Sequence, residues 1–269
     1  MTITDAQIHL WTSDTAPSHH WRAPHRIEDA LREMDACGID RAVNCPAIWD
    51  PNSNDYAVTA AQLYPGRFAT LGWFPLDDHA GPAKVEEWLA KPGMLGLRFV
   101  LATEELWSRF QEGQLDWLFV EADHHRIALG LMLPPPCYSK LGELAARYPG
   151  ARIILDHLGV SPFAKLPEAV AHFDMMIGLA AHPNIAVKAT GVPSMSNAAY
   201  PFADTHEPLQ RAFTAFGTKR FFWGTDYTRM PCSWNECLTL FSDHLFWLSE
   251  SDKEWVLGRG VSEWIGWKR

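Results

Sequence analysis

Ionisable side chains interrupt several of the short apolar segments of this chain. They are His9, Arg98, His157, Lys188 and Asp226. A buried charge without a partner costs several kcal/mol, so packing alone does not explain five such interruptions. Histidine and aspartate can transfer protons, and lysine and arginine can stabilise negative charge. The pattern predicts one shared catalytic site.

The first of these segments, DAQIHLW, alternates polar and apolar residues. The strand period of two predicts that Asp5, Gln7 and His9 lie on one face. A polar residue at a strand end can also serve only to hydrogen-bond a loop amide. Arg98 has a similar alternative, because buried arginines are usually paired and Asp5 or Asp156 could be its partner.

Elements that could bring these residues together recur along the whole chain. Apolar segments alternate with helical patterns at a spacing of about 25 to about 40 residues, the size of one strand, helix and return. We therefore predict a single domain over residues 1–269, a distorted (β/α)8 (TIM) barrel with its active site at the carboxyl ends of the strands. The predicted strands are 3–11, 41–47, 68–74, 96–101, 127–133, 152–159, 185–191 and 221–227.

Several connections contain recognisable helix signals. Over residues 26–38, Ile27, Ala30 and Met34 recur at helical spacing, and Gly38 can end the helix. Ser-x-x-Glu patterns predict two capping boxes, Ser233 with Glu236 and Ser251 with Glu254. The last helix is predicted to end near Gly258, with an amphipathic tail that packs against the barrel.

Three long connections, 12–26, 48–57 and 228–234, are rich in Trp, His, Pro and Asn. In a barrel these loops surround the active site. Aromatic side chains near the strand ends, such as Trp73 and Tyr227, could stack on a flat ligand, although packing is the common role of each one singly.

Composition excludes several classes of function. The chain has 23 basic and 32 acidic residues, a formal charge of -9 that repels nucleic acid and anionic lipid. The five cysteines form no CxxC pair, which argues against a disulfide framework or a zinc ribbon. No window of about 18 apolar residues predicts a membrane span, and the N-terminus lacks a basic patch and apolar run. We expect a cytoplasmic protein.

Four segments in chain order, DAQIHLW, ILDHLG, VKATG and WGTDY, resemble the amidohydrolase-related (amidohydrolase 2) hydrolases. The resemblance is to the branch that contains sugar lactonases and 2-pyrone-4,6-dicarboxylate lactonase. It implies a distorted barrel in which an aspartate after strand eight is a general base or metal ligand, with histidines around it. Those roles would fall on Asp226, His9 and His157.

The chain departs from this pattern where relatives bind metal. Many relatives have a histidine two positions before the one matched by His9, and metal-dependent ones add a histidine from strand five. Gln7 occupies the first position, and IALGLML has no histidine. Zinc normally takes three protein ligands. We therefore favour no cofactor, and keep a divalent ion, Zn or Mn, on His9 and Asp226 as the alternative.

The leading hypothesis is a hydrolase that opens a lactone or other activated ester of a small carboxylate-bearing organic acid. Asp226 would activate water, and His157 and Lys188 would polarise the carbonyl, with His9 as a further catalytic residue. The predicted substrate-binding residues are Arg98, Gln7, Trp73, Arg229, His20 and Tyr227.

Other functions remain open at this point. They are a metal-dependent decarboxylase or amide hydrolase, a lactone isomerase, and a non-catalytic binding protein. The expected partner is a small molecule, with no nucleic acid or membrane. A homo-oligomer is also open.

Overall fold

The computed structural model describes residues 1–22, 25–76 and 81–268. Within these ranges, eight parallel strands lie side by side in chain order and form a nearly closed (β/α)8 barrel. The fold prediction is confirmed. The strands are β1 Thr4–Ile8, β2 Arg41–Asn44, β3 Phe68–Trp73, β4 Met94–Val100, β5 Ala128–Met132, β6 Arg152–Leu155, β7 Ile185–Ala189 and β8 Phe221–Trp223.

Helices follow each strand and cover the outside of the barrel. They are α1 Ile27–Cys37, α2 Ser53–Leu63, α3 Pro82–Leu89, α4 Glu104–Gln111, α5 Asp116–His125, α6 Tyr138–Arg147, α7 Phe173–Gly178, α8 Val192–Met195, α9 His206–Phe216, α10 Trp234–Thr239, α11 Glu250–Glu254 and α12 Gly260–Ile265. None of the helices in the described ranges is long and apolar enough to cross a membrane.

The predicted helix over 26–38 corresponds to α1. Ile27, Ala30 and Met34 are buried on one face, and Gly38 adopts the left-handed conformation that ends the helix. The long connection 48–57 is shorter than predicted, because α2 begins at Ser53.

Each predicted strand segment contains a strand, but several strands end earlier than predicted. β1 ends at Ile8, β6 at Leu155 and β8 at Trp223. His9, His157 and Asp226 therefore lie in the turns that follow the strands. The predictions ran too far because apolar residues continue into these turns, where they pack without joining the sheet.

The alternation predicted for β1 is wrong at Asp5. Asp5 pairs with Ala42 but Ile8 pairs with Asn44, so β1 contains one more residue than β2 over this stretch. Such a bulge shifts the side chains that follow it relative to those before it. As a result Gln7 points to the predicted site, whereas Asp5 bonds to the loop after β8.

Asp5 instead joins β1 to the loop after β8, where the barrel closes. Its carboxylate accepts hydrogen bonds from Thr225 N, Thr225 Oγ1 and Trp234 Nε1. Nearby, the Asp226 amide donates to the Gln7 carbonyl at 2.9 Å. Burial raises the pKa of Asp5 to about 6, although these donors act in the opposite direction. The contacts fix the backbone on both sides of Asp226.

The opposite end of the barrel is closed by α12. Val261 and Ile265 are buried with Ala6 and Phe222 from the barrel interior, as the amphipathic tail predicted. The prediction that the last helix ends near Gly258 is wrong. Gly258 is a kink, and the helix resumes at Gly260. A Cβ at Gly258 would lie 2.2 Å from the Thr2 carbonyl oxygen, so the close approach at this kink requires glycine.

The two predicted capping boxes have different outcomes. Ser233 and Glu236 form a capping box at the start of α10, as predicted. The second prediction, Ser251 with Glu254, is wrong, because Ser249 and Asp252 cap α11. The Leu248 amide donates to the Leu245 carbonyl, so a turn ends at Leu248. Ser249 follows this turn in an extended conformation and is therefore the cap.

Candidate active site

Four predicted site residues meet at the carboxyl end of the barrel. This mouth cluster consists of Asp226, His9, His157 and Arg229. Asp226 Oδ1 lies 3.0 Å from His9 Nε2, and Asp226 Oδ2 lies 3.0 Å from Arg229 Nη1 and 4.0 Å from His157 Nε2. Three separate strands deliver these residues to one place. All four side chains are buried.

The backbone is strained where it presents two of these residues. His157, Leu158 and Asp226 have φ near +55°, in the left-handed region that side chains with a Cβ rarely adopt. Each such residue costs of order 1–3 kcal/mol and persists only where surrounding contacts impose it. The left-handed backbone directs the side chains after β6 and β8 toward the mouth. No sequence pattern predicted this conformation.

His9 has a defined orientation. Its Nδ1 lies 2.5 Å from the Cys45 carbonyl oxygen, which can only accept, so Nδ1 donates this hydrogen bond. Nε2 is therefore the nitrogen that faces Asp226. Nε2 and Asp226 Oδ1 are 3.0 Å apart, so the ring is held against the carboxylate. The role of Cys45 depends on its backbone carbonyl and had no signal in the sequence.

Asp226 is an ionised carboxylate at neutral pH. Burial by itself raises the pKa of Asp226, but the charges of His9 and Arg229 outweigh burial and hold that pKa well below its usual value. Arg229 also donates to the Pro162 carbonyl, so its guanidinium links the loop after β6 to the loop after β8. A small cavity of about 10 Å³ opens beside Arg229 and His157.

His157 is neutral and its tautomer follows from a chain of hydrogen bonds. Lys188 can only donate, and it donates to Gln7 Oε1 at 3.0 Å, which turns Gln7 Nε2 toward His157 Nε2 at 3.4 Å. His157 Nε2 is then the acceptor, and Nδ1 donates to Thr190 Oγ1 at 2.9 Å. Burial lowers the pKa of His157 to about 4.

A second group of charges, the floor cluster, lies among the strands below the mouth. It consists of Asp156, Arg98 and Lys188. Asp156 Oδ2 accepts from Arg98 Nε at 2.8 Å, and Asp156 Oδ1 lies 2.8 Å from Lys188 Nζ. Burial opposes ionisation of Asp156, but Lys188 and Arg98 outweigh burial and lower its pKa to about 2. The structure thus contains the Arg98–Asp156 pair considered as the alternative for Arg98.

The remaining predicted binding residues have different surroundings. His20 lies beside the mouth cluster, with Nδ1 2.7 Å from Thr228 Oγ1 and its ring centroid 5.6 Å from that of His9. Burial lowers the pKa of His20 to about 2. Trp73 ends β3 and is half-buried. The Tyr227 ring stacks on Trp234 with centroids 4.6 Å apart, behind the mouth.

Comparison with known proteins agrees with this geometry. The profile of the family described as Amidohydrolase matches residues 4–259. The chain belongs to this amidohydrolase family. It is therefore a hydrolase of the amidohydrolase superfamily, as the sequence motifs indicated.

The individual relatives and solved structures that resemble this chain include a lactonase. The chain is 27% identical to an L-fucono-1,5-lactonase of Burkholderia ambifaria over 237 residues, covering 83% of this chain and 79% of the relative. An amidohydrolase from Burkholderia multivorans with bound zinc has a TM-score of 0.84 at 17% identity, covering 99% of both chains. A putative 2-pyrone-4,6-dicarboxylic acid hydrolase from Pseudomonas putida has a TM-score of 0.78 at 19% identity, covering 100% of this chain and 98% of that chain. Decarboxylases share the fold as well.

The residues present do not fit a metal site like those that bind zinc. Within residues 1–22, 25–76 and 81–268, no three His, Cys, Asp or Glu side chains converge as ligands. A zinc site normally takes three protein ligands. His9 and Asp226 supply two, the Gln7 oxygen accepts from Lys188, and His157 Nε2 accepts from Gln7 Nε2 at 3.4 Å. The charges of Lys188 and Arg98 just below also disfavour a divalent cation.

Proposed function

We propose that this enzyme hydrolyses a lactone of a small organic acid that carries a carboxylate, with Asp226 as the base that activates water. The observation that carries the proposal is the buried, ionised Asp226 between His9 and His157 at the open end of the barrel. The relative named as an L-fucono-1,5-lactonase supports a cyclic ester as the substrate.

Asp226 would take one proton from water while the water oxygen bonds to the lactone carbonyl carbon. The carbon–oxygen bond of the ring then breaks, and the ring oxygen recovers that proton as a hydroxyl group. Because its low pKa makes Asp226 a weak base, the substrate needs a good leaving group. Lactones and enol esters meet this requirement better than amides.

His157 and His9 would orient the reaction. His157 Nε2 lies 4.0 Å from Asp226 Oδ2, so one water molecule that displaces the 3.4 Å contact with Gln7 could donate to both. His9 holds the other carboxylate oxygen. We propose that the nearby cations stabilise the negative charge that develops on the carbonyl oxygen. Lys188, which is completely buried, would act through its charge and through Gln7.

The charges of the two clusters support an anionic substrate. Arg98, Lys188 and Arg229 supply three positive charges, whereas Asp156 and Asp226 supply two negative charges. One cation is therefore in excess. Arg229 is the most exposed of the three cations, at 8% against 5% and 0%. We propose that it binds the substrate carboxylate, with Arg98 behind it, Trp73 and His20 around the lactone ring, and Tyr227 supporting the mouth from behind.

Replacement of Asp226 by asparagine tests the central role. Asp226→Asn should lower kcat by about 10³-fold, the usual contribution of a general base, while the substrate still binds. Asp50→Asn is a matched control, because Asp50 is also a buried carboxylate that accepts loop hydrogen bonds but does not touch the mouth cluster. Substantial turnover by folded Asp226→Asn would refute the assignment.

Hydrolysis in ¹⁸O-labelled water separates the competing reactions. Lactone hydrolysis places one ¹⁸O atom in the product carboxylate, and ring isomerisation places none. Decarboxylation would release carbon dioxide. A panel of sugar-acid lactones and carboxylate-bearing lactones, read by NMR and mass spectrometry, would identify both the product and the preferred substrate.

A further inference from the structure

Two cysteines that the catalytic proposal does not use lie in contact next to the mouth. Cys232 Sγ and Cys237 Sγ are 3.4 Å apart, and both are free thiols. Cys232 is half-buried and Cys237 is buried. The pair lies in the loop and helix that follow Asp226. Cys45 and Cys137 lie in other elements, whereas the Cys37 sulfur contacts the Asn235 amide of the same helix.

The helix cap explains why the sulfurs meet. Ser233 caps α10, so Cys232 directly precedes the cap and Cys237 is the fourth helical residue. In capped helices these two positions commonly hold apolar side chains in contact. The Arg22 guanidinium also donates to the Cys232 carbonyl at 2.9 Å, which holds the backbone before the cap. Here the contact that usually joins two apolar side chains joins two thiols.

We propose that Cys232 and Cys237 form a dithiol site that hydroperoxides oxidise to a disulfide. In the first step a Cys232 thiolate attacks one peroxide oxygen, the sulfur–oxygen bond forms, the oxygen–oxygen bond breaks, and hydroxide leaves. In the second step Cys237 sulfur bonds to Cys232 sulfur, and the sulfenic oxygen leaves with the Cys237 proton. Two thiols and one hydrogen peroxide thus give one disulfide and two waters.

The two sulfurs have unequal roles in this scheme. Contact with Cys232 and burial raise the pKa of the Cys237 thiol well above its usual value, so Cys237 keeps its proton at neutral pH. Cys232 is the more accessible sulfur and meets the oxidant first. The sulfurs then need to approach by roughly 1.4 Å to reach disulfide bonding distance. This approach involves the loop that also carries Arg229.

Mass spectrometry of the native protein tests the proposal. Trypsin releases residues 230–253 as one peptide that contains both cysteines and no other. After brief treatment with hydrogen peroxide and alkylation, this peptide should be lighter by two hydrogens and carry no alkyl group. The Cys232–Cys237 disulfide should form before Cys37 is oxidised, although Cys37 is also half-buried. Dithiothreitol should restore both thiols.

Variants and unfolded protein supply the controls. Cys232→Ser and Cys237→Ser should each abolish the disulfide, whereas Cys37→Ser should leave it unchanged. In urea the preference over Cys37 should disappear, because it depends on the folded cap. Peroxide that leaves both thiols free, or that carries Cys232 to sulfinic acid without a disulfide, would show that the contact is only apolar packing. The wild-type measurement requires no variant to fold.

Discussion

The floor cluster and the mouth cluster each hold a buried aspartate just after a strand, but the partners differ in kind. Asp156 in the floor contacts two basic side chains, Lys188 and Arg98. Asp226 in the mouth contacts His9 and Arg229, with His157 slightly farther away. Lysine and arginine hold a carboxylate in place, whereas the imidazoles found only in the mouth suit a group that exchanges protons. We therefore propose that Asp156 supports the barrel and that Asp226 carries out the chemistry.

The largest expected effect is the loss of stability when Asp156 of the floor cluster is replaced. Asp156→Asn leaves Lys188 and Arg98 buried without a counter-charge, and should lower the free energy of unfolding by about 3–5 kcal/mol. Urea denaturation measures the loss. Asp174→Asn is the matched control, because Asp174 pairs with Arg211 at the surface and such pairs contribute less than about 1 kcal/mol. If Asp156→Asn kept its stability but lost turnover, Asp156 would have a catalytic role. The proposed difference between Asp156 and Asp226 would then be wrong.

As the pH falls, His157 in the mouth cluster should be protonated before Asp156 in the floor cluster, and the protein should lose stability there first. The pKa of His157 is about 4 in the folded protein, against 6.5 in the unfolded chain. The unfolded chain therefore binds the proton first, and the stabilisation that is complete above pH 6.5 is lost as the pH falls toward 4. We expect His157 to account for about 2 kcal/mol of lost unfolding free energy between pH 7.5 and pH 5.

The difference between wild type and His157→Gln isolates this effect in urea denaturation at each pH. Subtraction is needed because Asp5, with a pKa raised to about 6, acts with the opposite sign: its contribution is lost as the pH rises through 6. His124→Gln, at the exposed end of α5, is the matched control for replacing a histidine by glutamine. A His157→Gln curve parallel to that of wild type would contradict the neutral state of His157.

A smaller effect should separate substrate binding from catalysis within the mouth. Arg229→Gln should raise KM about tenfold for a carboxylate-bearing lactone, which corresponds to one lost charged hydrogen bond, and much less for a neutral lactone. Arg211→Gln, which removes a surface cation, is the control. Equal changes for both lactones would show that Arg229 does not bind the carboxylate.

Removal of metal should have the smallest effect. Because His9 and Asp226 supply only two ligands and cations lie below them, EDTA treatment should leave turnover unchanged. Elemental analysis of the purified enzyme should find less than one zinc or manganese per chain. Stoichiometric metal, together with activity lost to chelator and restored by zinc or manganese, would move both residues from proton transfer to metal binding.

Much of the barrel could be predicted because its signals are local. Apolar segments at regular spacing predicted all eight strands, and the Ser233 pattern predicted the cap of α10. The sequence also indicated that His9, His157 and Asp226 belong together, because residues after parallel strands meet at one end of a barrel. Their catalytic roles stay predictions until turnover is measured.

What remained unpredictable depends on contacts between distant segments. The bulge that sends Asp5 to Thr225 reflects pairing of β1 with β2, and the left-handed backbone at Asp226 reflects closure of the barrel beside Gln7. Two overlapping Ser-x-x-acid patterns likewise misled the prediction for α11, because only the preceding turn selects Ser249.

The sequence by itself determined which residues form strands and in which order the ionisable groups follow them, since periodicity and turn chemistry act over a few residues. Only the tertiary structure decided that Arg98 and Lys188 share Asp156 while His9 and Arg229 share Asp226. The physical reason is that three of these four contacts join separate strands or their loops, and only Asp226–Arg229 lies within one loop, so most partners are set by where the closed barrel places the side chains.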